Sequence, residues 1–202
     1  MLRSGDDAAT VPQTERERLL MLVARHVLEH GVAGLTLRNL GTAIGTNNRM
    51  LLYYFGSKEQ MIQAALIEAG TWEPRFYGEL IDLTATDDPL PDRLRATWAG
   101  ISHPANRPYI RLFFEIFGLA VHDKGRYDDL LQMIGTSWLG QLRTQIEAEG
   151  VRDPVATEMA QEILALWRGL QFLIAADGDI DQIAAVNSRA VDGFYARVLA
   201  AR

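Results

Sequence analysis

One short segment carries side chains that could read the edges of DNA bases. It runs from Asn47 to Phe55 and contains two asparagines, an arginine, a methionine and two tyrosines but no acid. Asparagine amides can form two hydrogen bonds with adenine, arginine can do the same with guanine, and apolar atoms can contact the thymine methyl group. We therefore expect base contacts from four residues of this segment: Asn48, Arg49, Met50 and Tyr53.

The spacing around this segment predicts the helix-turn-helix that would present it. Thr36 can cap a helix over residues 37–44, Gly45 can end it, and a second helix can run from Asn47 to Phe55. Apolar residues at helical spacing predict a small core: Leu37, Leu40, Ile44, Leu51 and Phe55. The other side chains of the second helix, including Leu52 and Tyr54, should then face outward. An ordinary helical corner without a DNA role has the same pattern, so the spacing alone leaves that alternative open.

The segment also resembles the amino-terminal signature of TetR-family (tetracycline-repressor-like) transcriptional regulators. The resemblance is carried by Thr36, Leu37, Arg38, Leu40, Ala43, Gly45, the run LLYYF at 51–55 and the run GSKE at 56–59. With a preceding helix that ends at Gly31, it covers about residues 14–66. We expect phosphate contacts, which position a helix without reading sequence, from Thr36, Arg38, Asn47, Tyr54 and Lys58. For Lys58, spacing alone equally allows pairing with an exposed acid, and the resemblance favours the phosphate.

Three positions depart from the family pattern. The turn usually reads Gly-Val-Ser and here reads Gly45, Thr46, Asn47, in which Asn47 can still cap the helix. The phosphate-contacting tyrosine of the family is replaced by Leu52, and the position often held by histidine is Tyr54, whose hydroxyl can donate to a phosphate. The sequence therefore does not predict the angle at which this helix docks on DNA.

The remainder of the chain has the pattern of further helices separated by turns. Thr14 and Glu17 have capping-box spacing before a helix that ends at Gly31, and Ser57 and Gln60 repeat that spacing before a fourth helix. Turn-forming clusters separate five later helices, at 92–102, 108–122, 127–149, 154–177 and 180–200. We predict an all-α fold of about nine helices. A disordered arm at 1–13 precedes a three-helix helix-turn-helix head at 14–58, and a larger helical bundle at 59–202 forms a body for ligand binding and dimerisation.

Charge and composition limit the possible classes of protein. The 202 residues carry a net charge of -6, which argues against a generally basic coat, but residues 1–58 hold seven Lys or Arg against five Asp or Glu. This net charge of +2 leaves -8 for the remainder, which separates a weakly basic head from an acidic body. Cysteine is absent, and no apolar run reaches the ~18 residues that a membrane span needs. We expect a soluble, cytoplasmic protein without a membrane partner.

Two segments of the body are apolar on nearly all sides. Residues 110–121 are interrupted by Arg111 and Glu115, which we expect to pair at i, i+4, and residues 163–176 are interrupted by three residues. A helix of this kind must be covered on all sides, so the second segment could meet a partner subunit together with the last helix. A helix central to a monomer would explain the pattern as well. The resemblance implies a homodimer through the last two helices, and hence a palindromic DNA operator.

Aromatic side chains gather in the body, where an apolar pocket could hold a small hydrophobic effector. The candidates for its lining are Trp98, Phe113, Phe117, Trp138, Trp167 and Phe172. Core packing explains most of them equally well, although the resemblance implies that some such pocket exists. The identity of the effector, the operator sequence and the choice between repression and activation cannot be predicted from these residues.

No enzyme motif is present in the sequence. A glycine-rich phosphate loop, a G-x-S-x-G elbow and an H-E-x-x-H pair are all absent, so we expect no catalytic residue and no cofactor. His26 and His30 have a spacing that could hold a metal, but no third ligand accompanies them, and we expect no metal. The predicted function is a ligand-responsive, homodimeric DNA-binding repressor. The alternative is a helical small-molecule-binding or interaction protein without specific DNA recognition.

Overall fold

The structure, a computed structural model, describes residues 14–72, residue 83 and residues 87–202. These residues form nine α-helices and no strand, which confirms the all-α prediction for the described part of the chain. The helices are α1 (Glu15–His30), α2 (Leu37–Ile44), α3 (Asn48–Phe55), α4 (Lys58–Trp72), α5 (Leu90–Ile101), α6 (Arg107–His122), α7 (Lys124–Ala148), α8 (Val155–Ala175) and α9 (Ile180–Ala200). The predicted arm at 1–13 lies outside the described residues.

Local capping bonds explain where the first helices begin and end. Thr14 and Glu17 form the complete capping box of α1, with bonds of 3.2 and 2.8 Å. The side chain of Thr36 accepts the N–H of Asn39 at the start of α2, and Gly45 ends that helix with φ of 73°. Asn47 is the N-cap of α3 rather than its first helical residue. The sequence therefore predicted these boundaries to within a residue.

The core of the amino-terminal unit lies between α1, α2, α3 and α4. Leu40, Leu51 and Phe55 are buried as predicted, whereas Leu37 and Ile44 are only partly buried against the same core. The guanidinium of Arg16 on α1 lies 5.5 Å from the centre of the Phe55 ring. These contacts hold one side of α3 and leave its other side to solvent.

Helix α6 lies at the junction between this unit and the rest of the molecule. It packs on α1 and α4 on one side and on α7 and α8 on the other. The predicted pair between Arg111 and Glu115 was wrong, because both side chains have partners outside α6. Arg111 bonds Asp177, and Glu115 bonds the backbone after α1.

The last two helices are joined by a buried polar contact within an apolar core. The indole nitrogen of Trp167 on α8 donates to the side-chain oxygen of Asn187 on α9 at 3.0 Å, and both residues are buried. Helix α9 also packs against α5. Among the described residues, no helix combines the length and the apolar content that crossing a bilayer requires.

Candidate nucleic-acid interface

The outward side of α3 carries three of the four predicted base-contacting side chains in full view of solvent. Asn48 and Arg49 are exposed, and Tyr53 has 77% of its surface exposed. Met50 is partly buried. Neither α2 nor α3 contains an acidic residue, so no carboxylate on these helices opposes an approaching polyanion.

The five residues predicted to contact phosphates differ in their exposure to solvent. Thr36, Arg38 and Asn47 are exposed, although the side-chain oxygens of Thr36 and Asn47 already accept helix-capping bonds. Their hydroxyl and amide hydrogens stay available to donate. Lys58 is partly buried and is the first residue of α4.

Tyr54 differs from the prediction that it faces outward. It is partly buried against the core, and its ring meets the Tyr53 ring edge-on with 5.0 Å between centres. The cause is its position three residues after the buried Leu51, which brings both to neighbouring sides of α3. Leu52, in contrast, is 42% exposed.

The two histidines on α1 contact each other and the helix backbone. The rings of His26 and His30 stack with 4.5 Å between centres, and Nδ1 of His30 lies 3.1 Å from the carbonyl oxygen of His26. Partial burial, and secondarily the neighbouring His30, lower the pKa of His26, while Glu29 opposes this shift. Within the described residues, no cluster of three or more potential metal ligands is found.

Four of the six predicted pocket residues come together inside the body. The Trp167 ring lies 6.3 Å from Trp98 and 6.1 Å from Trp138, measured between centres. The guanidinium of Arg168 lies 4.5 Å from the Phe113 ring and 6.0 Å from the Trp138 ring. The indole nitrogen of Trp98 is buried without a hydrogen-bond partner.

The other two predicted pocket residues lie at the surface. Phe117 is 37% exposed and stacks on Phe113, whereas Phe172 is 59% exposed and touches Phe114 instead of the tryptophans. Phe172 therefore does not line the interior of a single chain. Its outward direction follows from helical spacing, because it lies off the side of α8 that carries the buried Trp167, Leu170 and Ile174.

A cleft that the sequence did not predict is lined by residues of α1, α4 and α6. Its volume is about 870 Å³, and none of the predicted pocket residues lines it. Charged and aromatic side chains meet in its wall: Arg25, Glu29, Trp72, Tyr109, Arg111 and Glu115. These residues come from three helices far apart in the chain, so no sequence spacing could have grouped them.

Comparison with known proteins gives one family match. Residues 20–65 match the family model described as bacterial regulatory proteins, tetR family. The match contains α2, α3 and most of α1. It therefore covers every residue of α3 that faces outward.

One curated relative and several solved structures are similar to this chain. The HTH-type transcriptional repressor KstR2 of Mycolicibacterium smegmatis is 29% identical over 99 residues, which is 48% of each protein, so the match spans about half the length of that relative. A transcriptional regulator from Rhodococcus sp. Rha1 has a TM-score of 0.72 at 17% identity, over 90% of this chain and 96% of that one. Salmonella enterica GusR has a TM-score of 0.67 at 19% sequence identity, and the match covers 90% of this chain and 97% of GusR. The multidrug binding protein EbrR, complexed with imidazole, has a TM-score of 0.63 at 18% sequence identity, and the match covers 92% of this chain and 96% of EbrR. At these identities the solved structures establish the fold.

Proposed function

We propose that the chain, whose residues 20–65 match the tetR family of bacterial regulatory proteins, is a ligand-responsive, homodimeric DNA-binding repressor of that family. The observation that carries the proposal is the outer side of α3, where Asn48, Arg49 and Tyr53 stand exposed on a helix without acids. A base-reading helix needs donors and acceptors that are free of internal partners and a surface that does not repel phosphate.

Base reading and phosphate binding would be divided between different side chains. Asn48, Arg49, Met50 and Tyr53 would contact base edges in the major groove. Phosphates would be held around them by Thr36, Arg38, Asn47, Tyr54 and Lys58. Because Tyr54 is partly buried, it would contact a phosphate through its hydroxyl alone.

A dimer through α8 and α9 would present α3 twice on a palindromic operator. The proposal is supported by apolar side chains that a single chain leaves exposed on these helices: Val155, Phe172, Leu173, Val186 and Leu199. Between 40% and 59% of each is open to solvent. In a two-fold dimer, copies of the side chains that lie on the shared side of α8 and α9 would cover one another.

An effector in the body would bind one arrangement of the two heads better than the other and so shift their population. The buried indole N–H of Trp98, which has no hydrogen-bond partner, supports an effector that places a polar atom there and apolar groups against Phe113, Trp138 and Trp167. Phe117 would close one edge. A cytoplasmic location follows from the proposed DNA target.

Gel-shift measurements with random genomic fragments test the proposal. We expect sequence-selective retardation that weakens as salt concentration rises, because phosphate contacts release counterions. Retardation of no fragment, or of all fragments equally, would favour the alternative of a helical small-molecule-binding or interaction protein. In that case binding of apolar ligands, followed by tryptophan fluorescence, would persist without any DNA complex.

A further inference from the structure

A carboxylate on α6 holds the turn that connects α1 to α2. Oε1 of Glu115 accepts the backbone N–H of Val32 at 3.0 Å and also that of Ala33. Val32 is buried, and Glu115 is partly buried. The contact joins positions more than eighty residues apart, so it belongs to the tertiary structure alone.

The turn approaches this carboxylate most closely at Gly31. Gly31 ends α1 with φ of 73°, and a Cβ at that position would lie 2.5 Å from Oε2 of Glu115. Hydrogen bonds to an ionised acceptor are about twice as strong as those between neutral groups. The contact is therefore both short-ranged and directional, so it can fix the orientation of the turn between α1 and α2 relative to α6.

The same helix also holds the turn between α8 and α9. One helical turn before Glu115, Arg111 bonds the side chain of Asp177 at 2.6 Å and the carbonyl oxygen of Ala175 at 3.2 Å. Arg107, one turn earlier again, bonds the same carboxylate at 2.9 Å. Helix α6 is thus fastened to α1–α2 at one point and to α8–α9 at another.

We propose that Glu115 is a positioning residue for operator recognition. Through Val32 and Ala33 it holds each copy of α2 and α3 at one angle to the helices α8 and α9, which form the dimer under the proposed function. A fixed angle gives a fixed distance between the two copies of α3, and hence one preferred spacing of the two DNA half-sites. This inference rests on the proposed function.

Binding to a set of inverted repeats with different half-site spacings tests the role of Glu115. The half-site is first selected from random DNA with the wild-type protein, and Kd is then measured for each spacing. We expect Glu115→Leu to reduce the preference for the best spacing over one displaced by two base pairs on the order of tenfold, since two bonds to a charged acceptor are lost. The preferred half-site sequence should not change.

Two further variants separate positioning from general stability. Glu115→Gln keeps an oxygen where Oε1 accepts both N–H groups, so it should largely retain the spacing preference. Glu29→Gln removes an exposed acid from the wall of the same cleft and should behave as the wild type. If Glu115→Leu binds DNA more weakly but discriminates spacings as the wild type does, the inference is wrong. If the wild type selects no DNA at all, the proposed function fails instead.

Amide hydrogen exchange in the wild-type protein gives a test that needs no variant. The N–H groups of Val32 and Ala33 should exchange far more slowly than exposed turn amides, because both are bonded to Glu115. Exchange of both groups at the rate of an open turn would overturn the contact, and with it the positioning role.

Discussion

At the scale of single residues, Arg49 and Lys58 offer a matched comparison between base reading and phosphate binding. Arg49 is exposed on α3, and Lys58 begins α4. We expect Arg49→Ala to cost ~1–3 kcal/mol of DNA-binding free energy and to relax selectivity at one base position. Lys58→Ala should instead weaken binding to all sequences alike. Titrations of the selected operator and its single-base variants would measure both effects, and an equal loss on every sequence from Arg49→Ala would refute this division.

The lowered pKa of His26 gives a prediction for the pH dependence of stability. The folded state favours the neutral ring, so the unfolded chain binds more protons once the pH falls below the ordinary histidine value of ~6.5. The free energy of unfolding should therefore decrease as the pH falls through the lowered pKa of His26. Denaturant unfolding at several pH values measures this, and His26→Gln should remove that part of the dependence. A pKa at or above the ordinary value, measured by NMR, would contradict the expectation.

Individual residues also show where sequence-based prediction stops. The exposed character of Asn48, Arg49 and Tyr53 followed from helical spacing, because a core on one side of α3 leaves the other side free. The partners of Glu115 could not be predicted in this way. A local pair with Arg111 had the right spacing, but the backbone after α1 supplies two donors that only the tertiary fold brings near.

At the scale of elements, Gly45 controls the turn between α2 and α3. It has φ of 73° and ψ of 35°, and a Cβ built there would meet nothing within 4 Å. The cost of Gly45→Ala should thus be purely conformational, about 1 kcal/mol in the free energy of unfolding measured with denaturant.

Gly140 is the matched control for that substitution. It is exposed in the interior of α7, and an added Cβ there would also meet nothing within 4 Å. Because alanine favours a helix over glycine, Gly140→Ala should stabilise the protein by about 0.5–1 kcal/mol. A loss of stability from Gly140→Ala, or no loss from Gly45→Ala, would contradict this assignment to backbone conformation.

Helix boundaries were predictable where a capping residue marks the start or the end of the helix. Thr14, Thr36, Gly45 and Asn47 all act locally, within four residues of the bonds they make. Which helices pack against α6 could not be predicted from local sequence. A helix that is apolar on nearly all sides can be covered by many arrangements of neighbours, and here the neighbours are α1, α4, α7 and α8. The cleft beside α1 went unpredicted for the same reason.

At the scale of the whole molecule, Phe172 tests the dimer proposed through α8 and α9. It is 59% exposed in the single chain, and an aspartate there would bury a charge in the proposed interface. We expect Phe172→Asp to sediment as a monomer with unchanged helix content, and to lose affinity for an inverted repeat.

Ile67 on α4 provides the control for the dimer experiment. It is also an exposed apolar side chain, at 38%, but lies outside α8 and α9. Ile67→Asp should therefore sediment as the wild type does. A dimer that survives Phe172→Asp at micromolar concentration would place the interface elsewhere.

Under the proposed function, two copies of an exposed, acid-free α3 read one symmetric DNA site. Selection of duplexes from a random pool with the wild-type protein measures this symmetry. We expect enrichment of an inverted repeat whose half-sites lie about one helical turn of DNA apart, or somewhat more. Enrichment of a single unrepeated half-site, or of no sequence, would contradict the claim.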